Sequence, residues 1–229
     1  MSDAADTAIF ALGRQASAAA RQAFGGQGHF ASARRLRPDG AWVGPHEAAW
    51  ALVEERALWA LGGPAAARRA GINTLVCDIA GNLAAVSGTG MGCLLRIPFS
   101  AGEPDAGRVM RLQRVRDVLR RFPLKGGLVP VPTGEAQGLD TVQFFASCRL
   151  ALPAQHLVAD LDLLGHKLGQ LCLSFGADAI LGAIVRERAL RLGAKAASRE
   201  LTPDEAVAFL RAAQLVPCEW LPDGKVNPL

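Results

Sequence analysis

Tyrosine is missing from all 229 residues, histidine occurs four times, and aromatic residues make up only 6% of the chain. A core with so few rings must be aliphatic, and a chain that is 50% hydrophobic has the material for one. Disordered and disulfide-scaffold classes are excluded on the same ground. Cysteine is scarce and scattered. Cys77, Cys93, Cys148, Cys172 and Cys218 are odd in number, and no two lie closer than 16 positions. Zinc and iron–sulfur sites draw at least two thiolates from one tight loop, because a short loop lowers the entropy cost of closing the site. The five read as reduced cysteines packed as small hydrophobes. His29, His46, His156 and His166 likewise form no pair at helical spacing.

No basic block is present. The net charge of +4 comes from 25 Lys and Arg against 21 Asp and Glu spread along the chain, which gives no nucleic-acid footprint. A long apolar run is also missing: the longest uncharged stretch, residues 79–95, contains four glycines together with Asn82, Ser87 and Thr89. That is no bilayer span. The opening Met-Ser-Asp-Ala-Ala-Asp is acidic where a secretory leader would be basic, so a cytoplasmic location is expected.

What is present has two textures. Residues 1–70 read as a helical leader, with helices over 6–24 and 47–61, the second carrying Trp50, Val53, Ala57 and Leu61 on one stripe. Residues 71–229 alternate short aliphatic runs with longer periodic segments, which is β/α layering. Strands are expected over 74–79, 94–97, 128–131, 142–148 and 156–159, with a further one over 83–86. Helices are expected over 108–121, 162–174 and 180–192, and a last helix is announced by the capping box Thr202-Pro203-Asp204-Glu205. The fold class is therefore α/β, an incomplete (β/α) barrel of five to six mainly parallel strands with C-terminal helices, shorter than the ~250 residues of a full eight-stranded one.

Several residues could carry chemistry. Gly88-Thr-Gly-Met-Gly92 is either a tight turn or an anion cradle. Asp160 and Asp178 each follow a strand-like run, where parallel α/β folds place their site residues. Asp178 is either a helix cap or a ligand contact, and Arg149 either salt-bridges a neighbour or grips an anionic group. A ligand pocket is expected at the C-terminal strand ends, lined by Glu103, Arg149, Asp160 and Asp178 with the Gly176 and Gly182 backbone.

These residues also resemble a family. Glu103, Arg108-Val109, Leu112, Arg116 and Pro130 keep the spacing of the radical-SAM enzymes of the futalosine route to menaquinone, the aminofutalosine synthase and dehypoxanthine futalosine cyclase group. So do Cys148-Arg149-Leu150, His156-Leu-Val-Ala-Asp160, Gly165, Leu173-Ser-Phe-Gly-Ala-Asp178 with Gly182, then Glu187, Ala194, Leu201 and Val216-Pro217. The stretch from Arg35-Leu36 to Arg69 is similar to the helices that precede the family's barrel.

The resemblance implies the later half of a radical-SAM barrel, S-adenosylmethionine as cosubstrate and a full-length radical-SAM partner or a second copy of this chain as associate. It also implies a [4Fe-4S] cluster on Cys-x-x-x-Cys-x-x-Cys, and no such triplet occurs. Ala179, Ala183 and Ser100 stand where the family has aspartate, threonine and glycine. The expectation is a truncated, cluster-free relative that keeps a small-molecule or nucleoside pocket. The alternatives are a non-catalytic partner that completes a barrel with another chain, and a cofactor-independent acid/base enzyme using Glu103, Asp160 and Asp178.

Overall fold

Seven segments in which every second side chain is small or aliphatic form the inner wall of a closed barrel. The computed structural model describes residues 2–37, 39–79, 81, 83–86, 89–122, 125–136, 138–185 and 200–229. Helix α1 (Ser2–Phe24) leads into β1 (Gln27–Leu36), followed by the short β2 (Trp42–Val43), β3 (Trp50–Glu54), α2 (Glu55–Ala60), α3 (Pro64–Arg69) and β4 (Thr74–Asp78). Next come α4 (Leu83–Val86), β5 (Gly92–Ser100), α5 (Asp105–Arg121), β6 (Gly126–Thr133), α6 (Gly138–Ala151), β7 (His156–Asp160), α7 (Leu161–Leu173) and β8 (Ala179–Gly182). The chain ends with α8 (Pro203–Ala212), β9 (Val216–Trp220) and β10 (Val226–Pro228).

Strands β1, β3, β4, β5, β6, β7 and β8 pair in parallel in that order, and β8 returns to β1 with His29 beside Ala179 and Ser32 beside Gly182. The ring is therefore closed by seven strands, one short of a (β/α)8 barrel. Strand alternation turns Ala33, Leu52, Val76, Leu94, Val129 and Val158 into the lumen, where they pack with Trp50 and Trp220 as one cluster. The opposite strand faces meet the helices in the larger core, where Phe144 of α6 stacks on Phe99 of β5 at 4.3 Å.

The N-terminal end of the ring is plugged by the C-terminal hairpin. Strand β9 lies parallel to the first residues of β1, Gln27 beside Val216, and β10 folds back on β9. Trp50 Nε1–H donates to the Trp220 carbonyl at 2.7 Å, fixing two indoles across the base of the lumen. At the opposite end, Asp160 closes β7 and caps α7 by accepting from the Asp162 amide. The Thr202–Glu205 capping box forms as the sequence reads.

Several expectations are corrected. The leader is not only helical, because residues 1–70 contribute β1 and β3 to the ring. Ala31 and Ala33 of β1 carry no β-branched signal of a strand, being small because they face the lumen near the two indoles. Residues 47–61 divide into β3 and α2, since Trp50 and Leu52 alternate inward. With both strands in place the first half of the barrel is not missing, and among the described residues β8 pairs with β1 to seal the ring.

Residues 142–148 are helical and belong to α6, whose strand-like apolar run reflects burial of Val142, Phe144, Phe145, Ala146 and Cys148. Residues 83–86 are helix α4. Residues 173–177 are the end of α7 and a turn, so Asp178 precedes a strand. Of the helix expected over 180–192, the first residues are β8, and 186–192 lie outside the described residues, as does Gly88.

Candidate functional site

The C-terminal end of the lumen changes from aliphatic to ionic within one turn of the alternation. Arg35 follows Ala33 on β1, Glu54 follows Leu52 on β3, Asp78 follows Val76 on β4, Arg96 follows Leu94 on β5, and Asp160 follows Val158 on β7. Five strands thus end the same wall in charge, and α7 adds Asp162 from its first turn.

Two clamps organise this rim. Arg35 Nη2 donates to Asp160 Oδ2 at 2.6 Å and Arg35 Nε to Asp162 Oδ2 at 3.1 Å, while the Asp162 amide donates to Asp160 Oδ1 at 3.1 Å. Across the mouth, Arg96 Nη2 donates to Glu54 Oε1 at 2.8 Å. Burial pushes the Asp160 carboxyl above its ordinary value even with Arg35 beside it. Burial alone would lower Arg35, but the fields of Asp160 and Asp162 outweigh it and raise it. Asp78 is exposed and forms no ion pair among the described residues. It lines an open cavity of about 350 Å³ with Glu54, Glu55, Arg56, Trp59 and Arg96.

Four carboxylates against two guanidiniums give this rim an acidic excess. It is suited to a ligand that brings a cationic group or several hydroxyl donors, with Arg96 available to an anionic group.

The residues singled out from sequence do not all meet here. Asp160 is at the mouth. Gly182 ends β8, but a side chain there would lie 3.1 Å from the Leu161 Cβ, so its role is close packing of α7. Glu103 lies beyond β5 and is clasped from the side by Arg111 of α5, whose Nε and Nη2 donate to Oε1 at 3.1 and 2.6 Å.

Arg149, Gly176 and Asp178 are corrected to the opposite, N-terminal end of the barrel, because α7 has already returned there before Asp178 leads into β8. Arg149 is completely buried. Its guanidinium donates to the Gly176, Pro153 and Gln155 carbonyls and pairs with Asp178 Oδ1. Four of its five N–H donors are thus spent inside the protein, away from any ligand at the mouth. Gly176 has φ 95°, and a side chain there would lie 2.7 Å from the Arg149 Cβ, so glycine is required both by conformation and by space.

Sequence reasoning missed Arg35, Glu54, Asp78 and Arg96. Once β1 and β3 are recognised as strands, the signal is available as a charged residue two positions after an inward aliphatic one.

The cysteines do not fit an iron–sulfur cluster. All five are buried and lie on β4, β5, α6, α7 and β9, and the segment 37–49 after β1 contains none. Hydrogen bonding to Cys93 and burial push the Cys77 thiol up, and burial does the same to Cys148 and Cys172. Ligation requires thiolates, so these environments oppose it. By charge, the acidic excess would suit the sulfonium and ammonium groups of S-adenosylmethionine, and Arg96 its carboxylate. If bound there it would supply a sulfonium amino acid and a nucleoside.

No protein-family model matches the sequence, and none of the curated proteins matches it. Solved structures do. Methylornithine synthase (PylB) superimposes with a TM-score of 0.63 at 12% identity, covering 91% of this chain and 89% of that one. The FeFe-hydrogenase maturase HydG from Carboxydothermus hydrogenoformans gives 0.59 at 11% identity, covering 93% and 72%. A second HydG structure gives 0.58 at 10% identity, covering 91% and 68%. These are radical-SAM enzymes with a closed parallel barrel, and the chain shares that fold.

Proposed function

We propose that this protein is a cluster-free relative of the radical-SAM barrels that binds a small nucleoside-type or sulfonium molecule at the C-terminal mouth, as an accessory of the futalosine route to menaquinone. The observation that carries the reading is the ionic rim. Arg35, Glu54, Asp78, Arg96 and Asp160 crown a lumen of aliphatic side chains and two indoles, and no cysteine stands among them. Arg35 pairs with Asp160 and Arg96 with Glu54 within the rim, which leaves the exposed Asp78 carboxylate without an ion pair among the described residues and open to a ligand's donor. The pathway assignment is supported by the spaced residues from Glu103 to Val216-Pro217 that resemble the futalosine enzymes.

Calorimetric titration of the full chain with futalosine-type nucleosides and S-adenosylmethionine tests this. Saturable binding is expected for at least one of them. Asp78→Asn should weaken it about tenfold or more, the worth of a hydrogen bond to a charged group. No binding across the panel, or binding indifferent to Asp78→Asn and Arg96→Met, would contradict the reading.

A second reading is favoured by one observation, the raised pKa of the buried Asp160 carboxyl. A carboxyl held ready to take up a proton at a barrel mouth is suited to acid/base chemistry on a bound metabolite without a cofactor. Turnover of the bound nucleoside, lost in Asp160→Asn while binding survives, distinguishes that reading from simple binding.

A further inference from the structure

The N-terminal end of the barrel carries a second polar cluster that the mouth does not use. His29 of β1, His156 of β7 and Asp178 before β8 converge so that one nitrogen or oxygen from each lies within 4.8 Å of the others. Asp178 Oδ1 is consumed by Arg149 and by the Leu157 amide at 2.7 Å. Its Oδ2 faces the two imidazoles, 2.6 Å from His156 Nδ1 and 3.5 Å from His29 Nδ1.

The His29 side chain is 2% exposed, and its Nδ1 has no hydrogen-bond partner. A buried imidazole nitrogen aimed at a carboxylate from beyond good hydrogen-bonding distance is an unmet demand, and such groups call for an unseen ligand. The rings are also held rigidly. His156 stacks on Phe24 at 4.5 Å and lies 4.8 Å from Trp220, and the two imidazole centroids are 4.9 Å apart at 82°.

We propose that this end of the barrel binds one divalent transition-metal ion of the zinc class on His29 Nδ1, His156 Nδ1 and Asp178 Oδ2. Two nitrogens and one carboxylate oxygen are the borderline donor set that selects zinc and cobalt over magnesium or calcium. Ligand atoms on a tetrahedral ion with bonds of about 2.0–2.1 Å lie about 3.4 Å apart, which the 3.5 Å between His29 and Asp178 already matches. His156 is closer than that because Nδ1–H donates to the carboxylate. Metal binding replaces this hydrogen bond, the neutral ring taking its Nε2–H tautomer so that Nδ1 is free to ligate, and draws the ring away from the carboxylate.

Arg149 then holds the unused Asp178 oxygen in place, as hydrogen bonds to ligating carboxylates do. The fourth position is supplied from a cavity of about 450 Å³ lined by His156, Trp50, Lys125, Trp220 and Asp223, which is also the route of entry.

The full chain, freed of metal with a chelator, is titrated with Co²⁺ and then with Zn²⁺. One ion per chain is expected, with the intense visible ligand-field bands of tetrahedral cobalt, bleached when zinc displaces it. In histidine NMR spectra of the unmutated protein, zinc should shift the ring signals of His29 and His156 and leave those of His46 and His166 in place. His29→Gln, which keeps a polar side chain of similar reach, should weaken cobalt binding on the order of 100-fold or more while circular dichroism is unchanged. Absence of tetrahedral bands, shifts confined to other histidines, or affinity unchanged in both His29→Gln and His156→Gln would overturn the proposal. The NMR measurement decides the matter even if a variant fails to fold.

Discussion

Arg149→Leu should lower stability by about 3–5 kcal/mol, the usual cost of stripping one partner from a buried ion pair. Asp178 is completely buried, and burial alone would raise its carboxyl. The imidazoles of His156 and His29 and the charge of Arg149 outweigh that and hold it at about 2. Leucine fills most of the volume but leaves this carboxylate short of its full counter-charge. It also orphans three carbonyls, those of Gly176, Pro153 and Gln155. Because these groups tie α6, the α6–β7 loop and the turn before β8 together, the loss reaches three elements at once. For a chain of this size the midpoint of thermal unfolding should fall by roughly 6–20 °C. Urea unfolding followed by circular dichroism measures the free energy, and a loss under about 1 kcal/mol would show that the network is not a structural clasp.

That network was half legible in the sequence. The segment Leu173-Ser-Phe-Gly-Ala-Asp178 stands out, and Arg149 and Asp178 were both identifiable as residues of consequence. Their end of the barrel was not. A helix that closes on Leu173 and turns through Gly176 at φ 95° looks, in one dimension, like a strand of small and apolar residues. The inference that Asp178 ends a strand therefore carried it to the wrong mouth. β1 was hidden because Ala31 and Ala33, small to face two indoles, carry none of the β-branched or aromatic signal of a strand. With β1 and β3 unread, the charged residues two positions beyond their lumen-facing partners, Arg35 and Glu54, could not be seen as a rim. The barrel class, four of the seven ring strands in whole or part, and Asp160 at the mouth were readable because local alternation alone determines them.

Arg35→Met should cost about 2–4 kcal/mol at neutral pH, somewhat less than a fully buried pair because the Arg35 side chain is 23% exposed against 4% for Asp160. Methionine keeps the aliphatic stem but removes the counter-charge from Asp160 and Asp162 together, leaving two neighbouring carboxylates facing each other. The effect depends on pH in a defined direction. Asp160 already has a raised pKa in the folded state, so the folded chain binds that proton more tightly than the unfolded chain does. Ionising it therefore costs stability as pH rises above the unfolded carboxyl value, and the cost grows when Arg35 is gone. The deficit of the variant should be largest at neutral pH and shrink as the pH falls through the raised Asp160 value. Denaturant unfolding of both proteins across that range checks this, and a deficit that is flat or that grows on acidification would contradict the assignment of Arg35 as the clamp of the rim.

On the proposed reading, this barrel has the radical-SAM fold with ionic side chains at its mouth and no iron–sulfur cluster. Anaerobic reconstitution of the full chain with iron and sulfide, followed by desalting, tests it most directly. Acid-labile sulfide and the charge-transfer absorption of a cubane are the quantities to measure, because a single ferrous ion on His29 and His156 would carry iron without sulfide. The account predicts a colourless protein with no bound sulfide, and about four iron and four sulfide per chain with cubane absorption would contradict it.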